Sequence, residues 1–476
     1  MSKCRRHTPT KRELLATIDR LEKLVAQQDK RIAELEAEVA RLRKNSSTSS
    51  KPPSSDIVKP PKVSPPGSSS KKKRRQGGQP GHARHERASF APEQVDEVFE
   101  YAVDKCPIHG IPIEAGTAAP RVVQQVELPP RLINVFEHRA LGSWCPRCNQ
   151  VHYAPLPPHV RNGGLAGPRL TAFAAYLKGA CHCSYTTIRT LLDDVLGLPV
   201  STGFLVKLLQ KGSAALDAPY EQLLDRLPDE PVLNIDETGH KENGKRLWTW
   251  CFRAEGFTLF RIVASRGSEV LLETLGKDFD GLLGCDYFSA YRKYMKDCDA
   301  TVQFCLAHLI RDVRFLTEST DKVTANYGCR VLDRLRALFG VIHRRGELTP
   351  AGFQRRLEQE RDWLLAVARR APPRTEAQNI ATRFREHGKQ YVTFVTTPGI
   401  EPTNNLAEQA IRFCVLDRRV SQGTRSPAGR RWCERIWTFA ATCAQRNHSL
   451  YKLLAEALHA HLNDMSSAHC LPLPQQ

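Results

Sequence analysis

The sequence contains no run of about 18 apolar residues, the length that a transmembrane helix needs. Its first residues, MSKCRRHTPTKRELL, lack the apolar stretch of a secretory signal. These absences argue against a membrane protein and against a secreted one. We therefore expect a cytoplasmic protein whose 15 cysteines stay reduced or bind metal and do not form disulfides.

Acidic residues are in the minority. The chain has 51 Asp and Glu against 70 Lys and Arg, which gives a formal net charge of +19. Such a charge favours polyanionic partners, of which DNA is the commonest. With 476 residues the chain is long enough for several domains with cores of their own.

Residues 11–44 carry apolar side chains in alternating steps of three and four residues, the pattern of a coiled coil. Position a holds Ile18, Val25, Ile32 and Val39, and position d holds Leu14, Leu21, Gln28, Leu35 and Leu42. β-branched residues at a with Leu at d favour a parallel dimer. A single helix packed on its own protein is the alternative.

Residues 45–92 are rich in Ser, Pro, Lys and Gly and are too polar to build a core. We expect a flexible tether. Its basic run could be a solvated charge block, but in a chain whose net charge favours polyanions we prefer a phosphate-binding role. The run consists of Lys71, Lys72, Lys73, Arg74 and Arg75.

Two short motifs suggest a structural zinc site. Cys106 and His109 form one pair with two residues between them, and Cys145 and Cys148 form another. Two such pairs around one tetrahedral ion are typical of structural Zn²⁺. The segments between them, RVVQQVEL and INVFEHRALG, have a β-like pattern. Unrelated cysteines in a reducing cytosol are the alternative.

The next segment, residues 165–228, has a helical pattern. We expect two helices and a Gly-containing turn, followed by one continuous helix that begins after Ser201 as its N-cap. This is the shape of a helix-turn-helix, and equally that of a small helical bundle.

The stretch 232–289 predicts three strands in a meander, then a helix and a fourth strand in a β-α-β crossover. Asp236 lies on the first strand and Asp286 at the end of the fourth. A buried strand has no packing reason to carry Asp236 and Glu237 in succession, since an unpaired buried carboxylate is costly. With Glu408, from the later helix TNNLAEQAIR, the two aspartates would suit Mg²⁺ or Mn²⁺. Spacing alone also fits three acids on a solvated surface.

Further basic residues surround these acids in the sequence. The helix after Cys305 carries His308 and Arg311, which we expect to support the site or to contact phosphate. Residues 315–400 predict a charged helical insertion. Arginines follow Glu408 at a spacing that suits a phosphate grip, namely Arg412, Arg418, Arg419 and Arg425.

Several motifs, in the order IDET, WTW, CDYFSAY, CLAHLIRDVRF and NNLAEQAIR, resemble transposases of the IS66 insertion-sequence family. NSSTSSKPPSSD, GGQPGH, CPRC and GPRLTAFAAYLKG extend the resemblance over nearly the whole chain. The resemblance implies an RNase H-like DDE domain with Asp236, Asp286 and Glu408 as its triad. That family usually has a cysteine pair at the first zinc motif, so His109 departs from its pattern.

The implied reaction is two-metal catalysis. Ions held by the three acids would activate water, and then a freed 3′-hydroxyl, for in-line attack on phosphodiesters. The implied partner is double-stranded DNA, both element termini and target, in the nucleoid of a bacterial cytoplasm. The sequence leaves open whether small accessory transposition proteins take part. A nuclease or resolvase with the same core, and a DNA-binding regulator that has lost catalysis, are the rival functions.

The expected fold is multidomain α/β, in which a coiled coil, a zinc-binding module and a helical, helix-turn-helix-like domain precede an RNase H-like DDE core with a helical insertion. The expected boundaries are 1–44 for the coiled coil, 45–92 for the linker, 93–160 for the zinc module, 161–229 for the helical domain, 230–318 and 401–447 for the core, 319–400 for the insertion and 448–476 for a terminal helix and tail.

Overall fold

The computed structural model describes residues 10–43, 88–112 and 119–470. These residues divide into two compact units, one formed by 10–43 and 138–470 and the other by 88–112 and 119–137. The predicted basic run 71–75, with most of the linker around it, lies outside the described residues. Within the described ranges, no helix combines the length and the apolar character that a membrane span requires.

The smaller unit has little regular structure in its described residues. It contains a 3₁₀ turn at Pro92–Gln94 and an isolated bridge between Lys105 and Pro112. The Gln124 amide exchanges two hydrogen bonds with the Phe90 backbone, at 2.6 and 3.1 Å. The β-like segments predicted between the two zinc motifs form no strand here, so that expectation is wrong for 119–141. No described segment pairs with residues 119–141 as a strand.

In the larger unit, α1 spans Lys11–Arg43. The apolar side chains at its a and d positions that the structure describes are 45–54 % exposed, namely Leu14, Ile18, Leu21, Val25, Ile32, Leu35 and Val39. The predicted helix is confirmed. Where the structure describes its side chains, the apolar stripe is not buried.

A short hairpin and a helical region follow. The hairpin strands are β1 (Gly142–Cys145) and β2 (Gln150–Tyr153). The helices are α2 (Pro158–Gly163), α3 (Pro168–Gly179), α4 (Tyr185–Asp194), α5 (Thr202–Ala215) and α6 (Asp217–Arg226). Ser201 caps α5 by accepting from Phe204 N at 3.1 Å, as predicted. The helix predicted to be continuous from there breaks at Leu216, because Pro219 cannot donate to the carbonyl four residues earlier.

The centre of the unit is a five-stranded mixed sheet in the order β5-β4-β3-β6-β7. Its strands are β3 (Val232–Glu242), β4 (Lys245–Arg253), β5 (Thr258–Val263), β6 (Leu282–Cys285) and β7 (Thr301–Phe304). Helix α7 (Glu269–Leu275) makes the crossover to β6, and α8 (Ser289–Cys298) the next one. β3, β4 and β5 are antiparallel, whereas β6 and β7 continue in parallel from β3. The predicted meander and crossover are confirmed.

The remaining chain is helical. It forms α9 (Leu306–Thr317), α10 (Lys322–His343), α11 (Pro350–Arg369), α12 (Thr375–His387), α13 (Thr393–Thr396), α14 (Asn405–Ser421), α15 (Pro427–Arg446) and α16 (Leu450–Leu462). Helices α10 to α13 follow β7 and α9, and α14 then returns to pack on β3 and β4. The sheet core includes Trp250, Phe252 and Phe304, each fully buried.

Helix α15 covers the edge of the sheet at β5. Alternate backbone N–H groups of that strand donate to α15 side chains, from Thr258 to Thr442 Oγ1 at 3.2 Å and from Phe260 to Thr438 Oγ1 at 3.0 Å. Ile262 N–H donates to the Glu434 carboxylate at 2.6 Å. These side chains satisfy donors that an uncovered edge strand would leave free to pair with another chain.

The loop between α14 and α15 is fixed to the β3–β4 hairpin. Thr424 N–H donates to the Lys241 carbonyl at 2.9 Å, and Asn243 N–H donates to the Thr424 carbonyl at 2.8 Å. Gly423 has φ +96°, and a Cβ at this position would overlap the Lys241 carbonyl oxygen. The loop therefore requires glycine here, both for its backbone conformation and for the close approach of the hairpin.

We predict that Gly423→Ala lowers the free energy of unfolding by about 1–3 kcal/mol, the usual cost of a strained backbone together with overpacking. Denaturant titration of the full chain measures it. The matched control is Gly340→Ala, inside α10, where a Cβ meets nothing within 4 Å and should be neutral or stabilising. Equal stability of the two variants would contradict the role given to Gly423.

Candidate active site

Two of the three predicted acids lie together where strand β6 ends, at a place in the sheet that we call the active edge. Residues Asn234 and Gly284 are register partners on the parallel strands β3 and β6. Asp236 and Asp286 each lie two residues further along, so their side chains leave the same face of neighbouring strands, which are about 4.8 Å apart. The structure therefore brings Asp236 and Asp286 together at the carboxyl end of β6.

Glu408 reaches this edge in the first turn of α14. The residue just before the helix, Asn404, is 1 % exposed, and its side-chain amide donates to the Ile235 carbonyl at 2.7 Å. Asn404 N–H also donates to Cys305 Sγ at 3.1 Å, just after β7. The start of α14 is thus fixed to β3, one residue before Asp236, and to the end of β7.

The electrostatics of this edge disfavour a set of bare carboxylates. Burial raises the pKa of Asp236 well above its usual range, and three neighbouring carboxylates raise it further, those of Glu237, Asp286 and Glu408. Burial and the Glu237 charge raise the pKa of Asp286 to about 7, although Arg266 opposes the shift. Oxygen donors that repel one another in this way fit a hard divalent cation, which would stabilise their charged forms.

Glu237 belongs to a different arrangement. It points away from the Asp236 face, and its side chain is only 2 % exposed. Arg266 donates to Glu237 Oε1 through Nε at 2.9 Å and Nη2 at 2.6 Å, and the Tyr291 hydroxyl donates to Oε2. The expectation that both successive acids lack a packing partner is therefore wrong for Glu237, whose partners are distant in sequence. Of these two successive acids, it is Asp236 to which the argument applies that a buried, unpaired carboxylate indicates a metal.

Two of the residues predicted to support the site lie beside Glu408, and one of them donates a hydrogen bond to it. Arg311 Nη2 donates to Glu408 Oε1 at 3.1 Å, and His308 Nδ1 lies 3.4 Å from the same oxygen. Burial, with the Arg311 charge, lowers the pKa of His308 to about 3, so the imidazole is neutral. Burial raises the pKa of Cys305 to about 11, although the Asn404 N–H opposes that shift. A contact of His308 or Arg311 with phosphate stays a prediction.

The arginines that follow Glu408 differ in exposure. Arg412, Arg419 and Arg425 are exposed on α14 and the loop after it. Arg418 is half-buried, and its guanidinium donates to Thr238 Oγ1 at 3.3 Å. Three of the four predicted arginines are therefore accessible to a phosphate backbone, whereas Arg418 also braces α14 against β3.

A second cluster of possible metal ligands lies on the β1–β2 hairpin. The ligand atoms of Cys145, Cys148 and His152 all lie within 4.8 Å of one another, and Cys148 Sγ is 3.0 Å from His152 Nε2. Backbone and side-chain hydrogen bonds from Cys148 lower the pKa of Cys145, which favours its thiolate. His152 was not predicted, although the motif CPRCNQVH contains it at a spacing that metal sites use.

The other predicted pair lies in the smaller unit, where Cys106 Sγ is 3.4 Å from His109 Nδ1. The two side chains are thus close enough to bind one ion together. That this pair shares a zinc ion with Cys145 and Cys148 stays a prediction.

Comparisons with known proteins agree with the motif order. A family model described as the transposase IS66 family matches residues 163–431, which is more than half of the chain and contains all three acids. A model of a family of unknown function, DUF6444, matches residues 3–88. A search of curated proteins finds no match. The resemblance is confirmed, and the protein belongs to the IS66 family of transposases, enzymes of the DDE class that cleave DNA and transfer its strands.

Proposed function

We propose that Asp236, Asp286 and Glu408 are the catalytic carboxylates of this transposase and that the sheet with its helices is an RNase H-like core. The observation that carries the proposal is the shared edge, where two parallel strands in register and the first turn of α14 bring their acids to one place. The raised pKa values of Asp236 and Asp286 support a cation-binding role. Mg²⁺ or Mn²⁺ bound there would stabilise the attacking and leaving oxygens of an in-line displacement.

The surrounding side chains position these acids. Asn404 sets the start of α14 against β3, and Arg311 holds the Glu408 carboxylate at 3.1 Å. On the opposite face of the sheet, Arg266 neutralises Glu237 and lies 4.6 Å from the Trp248 ring. Glu237 and Glu408 each have a guanidinium partner, so a cation bound by Asp236, Asp286 and Glu408 would mainly compensate the charges of the two aspartates.

DNA binding would come from the basic surface. Arg412, Arg419 and Arg425 lie on the helix that carries Glu408 or on the loop after it, so phosphates gripped there would be close to the acids. The basic run 71–75 would add a less specific contact. The helical region around α4 and α5 would form a helix-turn-helix-like module for the element ends.

The first prediction concerns the acids. Asp236→Asn, Asp286→Asn and Glu408→Gln should each reduce cleavage of element-end DNA by roughly 10²–10³-fold or more, the scale of losing one transition-state stabiliser. Gel-shift affinity for the same DNA should stay close to wild type. Glu401→Gln, an exposed acid near the start of α14, is the control. A variant that keeps near wild-type cleavage would remove that acid from the site.

The second prediction concerns zinc. We propose that Cys145, Cys148 and His152 bind a structural Zn²⁺. The double variant Cys145→Ser, Cys148→Ser should lose one equivalent of zinc relative to wild type in metal analysis of the full chain, and His152→Ala should weaken its retention. Cys106→Ser and His109→Ala test the predicted contribution of the first pair. Unchanged zinc in the double variant would refute the site.

The third prediction concerns α1. We propose that its exposed a and d stripe pairs in parallel with a second copy, which would bring two catalytic domains and two element ends together. An isolated helix of this length is marginal in water, so its helicity should rise with concentration. Sedimentation equilibrium on segment 11–44 should show a dimer, and Leu21→Lys with Leu35→Lys should give a monomer. A monomeric wild-type segment would contradict the pairing.

A further inference from the structure

Next to the proposed catalytic acids lies a cluster with a different set of donor atoms. Cys305 directly follows β7, His308 lies in the first turn of α9, and Glu408 is supplied by α14. Their ligand atoms, one sulfur, one nitrogen and one oxygen, all lie within 4.8 Å of one another. At these distances, small movements of the three side chains would let one ion contact all of them.

The histidine of this cluster has a buried ring nitrogen without a hydrogen-bond partner among the described residues. His308 is 9 % exposed, and among the described residues its Nδ1 has no hydrogen-bond partner, although Glu408 Oε1 is 3.4 Å away. A buried polar atom without a partner costs free energy, and most such atoms in native proteins are satisfied. Here the unpartnered nitrogen lies beside a thiol and a carboxylate, both of which bind metals.

The donor set indicates which metal would fit. Mg²⁺ and Mn²⁺ prefer oxygen donors, whereas thiolate and imidazole ligands select Zn²⁺ and similar softer ions. Three protein ligands leave the fourth tetrahedral position of Zn²⁺ open. The Cys305 thiol would release its proton to solvent on binding. Arg311 competes for Glu408 Oε1 at 3.1 Å, so the ion would displace this contact or use Oε2.

We propose that Cys305, His308 and Glu408 form a binding site for a soft divalent cation such as Zn²⁺, distinct from the magnesium site to which Glu408 also contributes. The regulatory consequence rests on the proposed function of Glu408. Zn²⁺ bound to Cys305 and His308 draws the Glu408 carboxylate toward itself and away from Asp236 and Asp286, and so inhibits strand cleavage.

Co²⁺ is the probe, because a cobalt–thiolate bond produces a charge-transfer absorption band that oxygen-only sites lack. The experiment uses the full chain with Cys106→Ser, Cys145→Ser and Cys148→Ser, which removes the thiolates of both predicted zinc motifs. Titration with Co²⁺ in excess Mg²⁺ should give one equivalent of thiolate-bound cobalt. Adding Cys305→Ser should abolish the band, and adding His308→Gln should weaken binding at least about 10-fold.

Cys414→Ser is the matched control. Cys414 lies on α14 and is 2 % exposed, the same as Cys305, but it lies outside the cluster. The band should survive this substitution. Absence of a thiolate band in the parent, or a band that persists with full affinity in both Cys305→Ser and His308→Gln, would overturn the proposal. His308→Gln leaves the cysteine in place, so it tests the proposal even if Cys305→Ser fails to fold.

Asp236→Asn separates this proposal from the catalytic one. It should keep the cobalt band while losing cleavage. A retained band with wild-type cleavage would refute the catalytic assignment of Asp236 and leave the cobalt site standing. If Asp236→Asn loses cleavage but the cobalt band is unchanged when Cys305→Ser is introduced, the cobalt site is refuted and the catalytic assignment of Asp236 stands.

Discussion

One buried hydrogen bond, from the Asn404 amide to the Ile235 carbonyl, fixes the geometry on which the rest of the active edge depends. Asp236 and Asp286 are positioned within the sheet itself, by the parallel pairing of the neighbouring strands β3 and β6. Glu408 follows the helices α10 to α13 in the chain, so its return to the sheet needs a specific attachment. Asn404 supplies it by bonding to β3 and to Cys305 at once.

The same packing of β3, β6 and α14 determines which of the acids have a positively charged partner. Arg266 contacts Glu237 and Arg311 contacts Glu408, whereas burial and mutual repulsion raise the pKa of both Asp236 and Asp286. A cation bound among these acids would stabilise their charged forms and with them the folded state. The soft-donor cluster at Cys305 and His308 extends this dependence, since it offers Glu408 a second, competing ion.

The sequence predicts what depends on local patterning. Alternation and turn residues identify the meander, the crossover and the positions of Asp236 and Asp286, whereas Glu408 is identified through its family motif. Contacts between distant segments are not visible in this way. The Arg266 and Tyr291 partners of Glu237 depend on tertiary packing, as does the bond from Asn404 to β3. Residues 119–141 are the opposite case. Their β-like pattern is visible in the sequence, but they form no strand, since a strand requires a partner.

The most direct test of the central claim, that the acids of β3, β6 and α14 share one cation site, is anomalous diffraction from crystals of the protein soaked with Mn²⁺. We expect an anomalous peak within coordination distance of both Asp236 and Asp286, with Glu408 beside it, and loss of that peak in Asp236→Asn crystals. Mn²⁺ peaks only elsewhere in a well-ordered crystal would contradict the account.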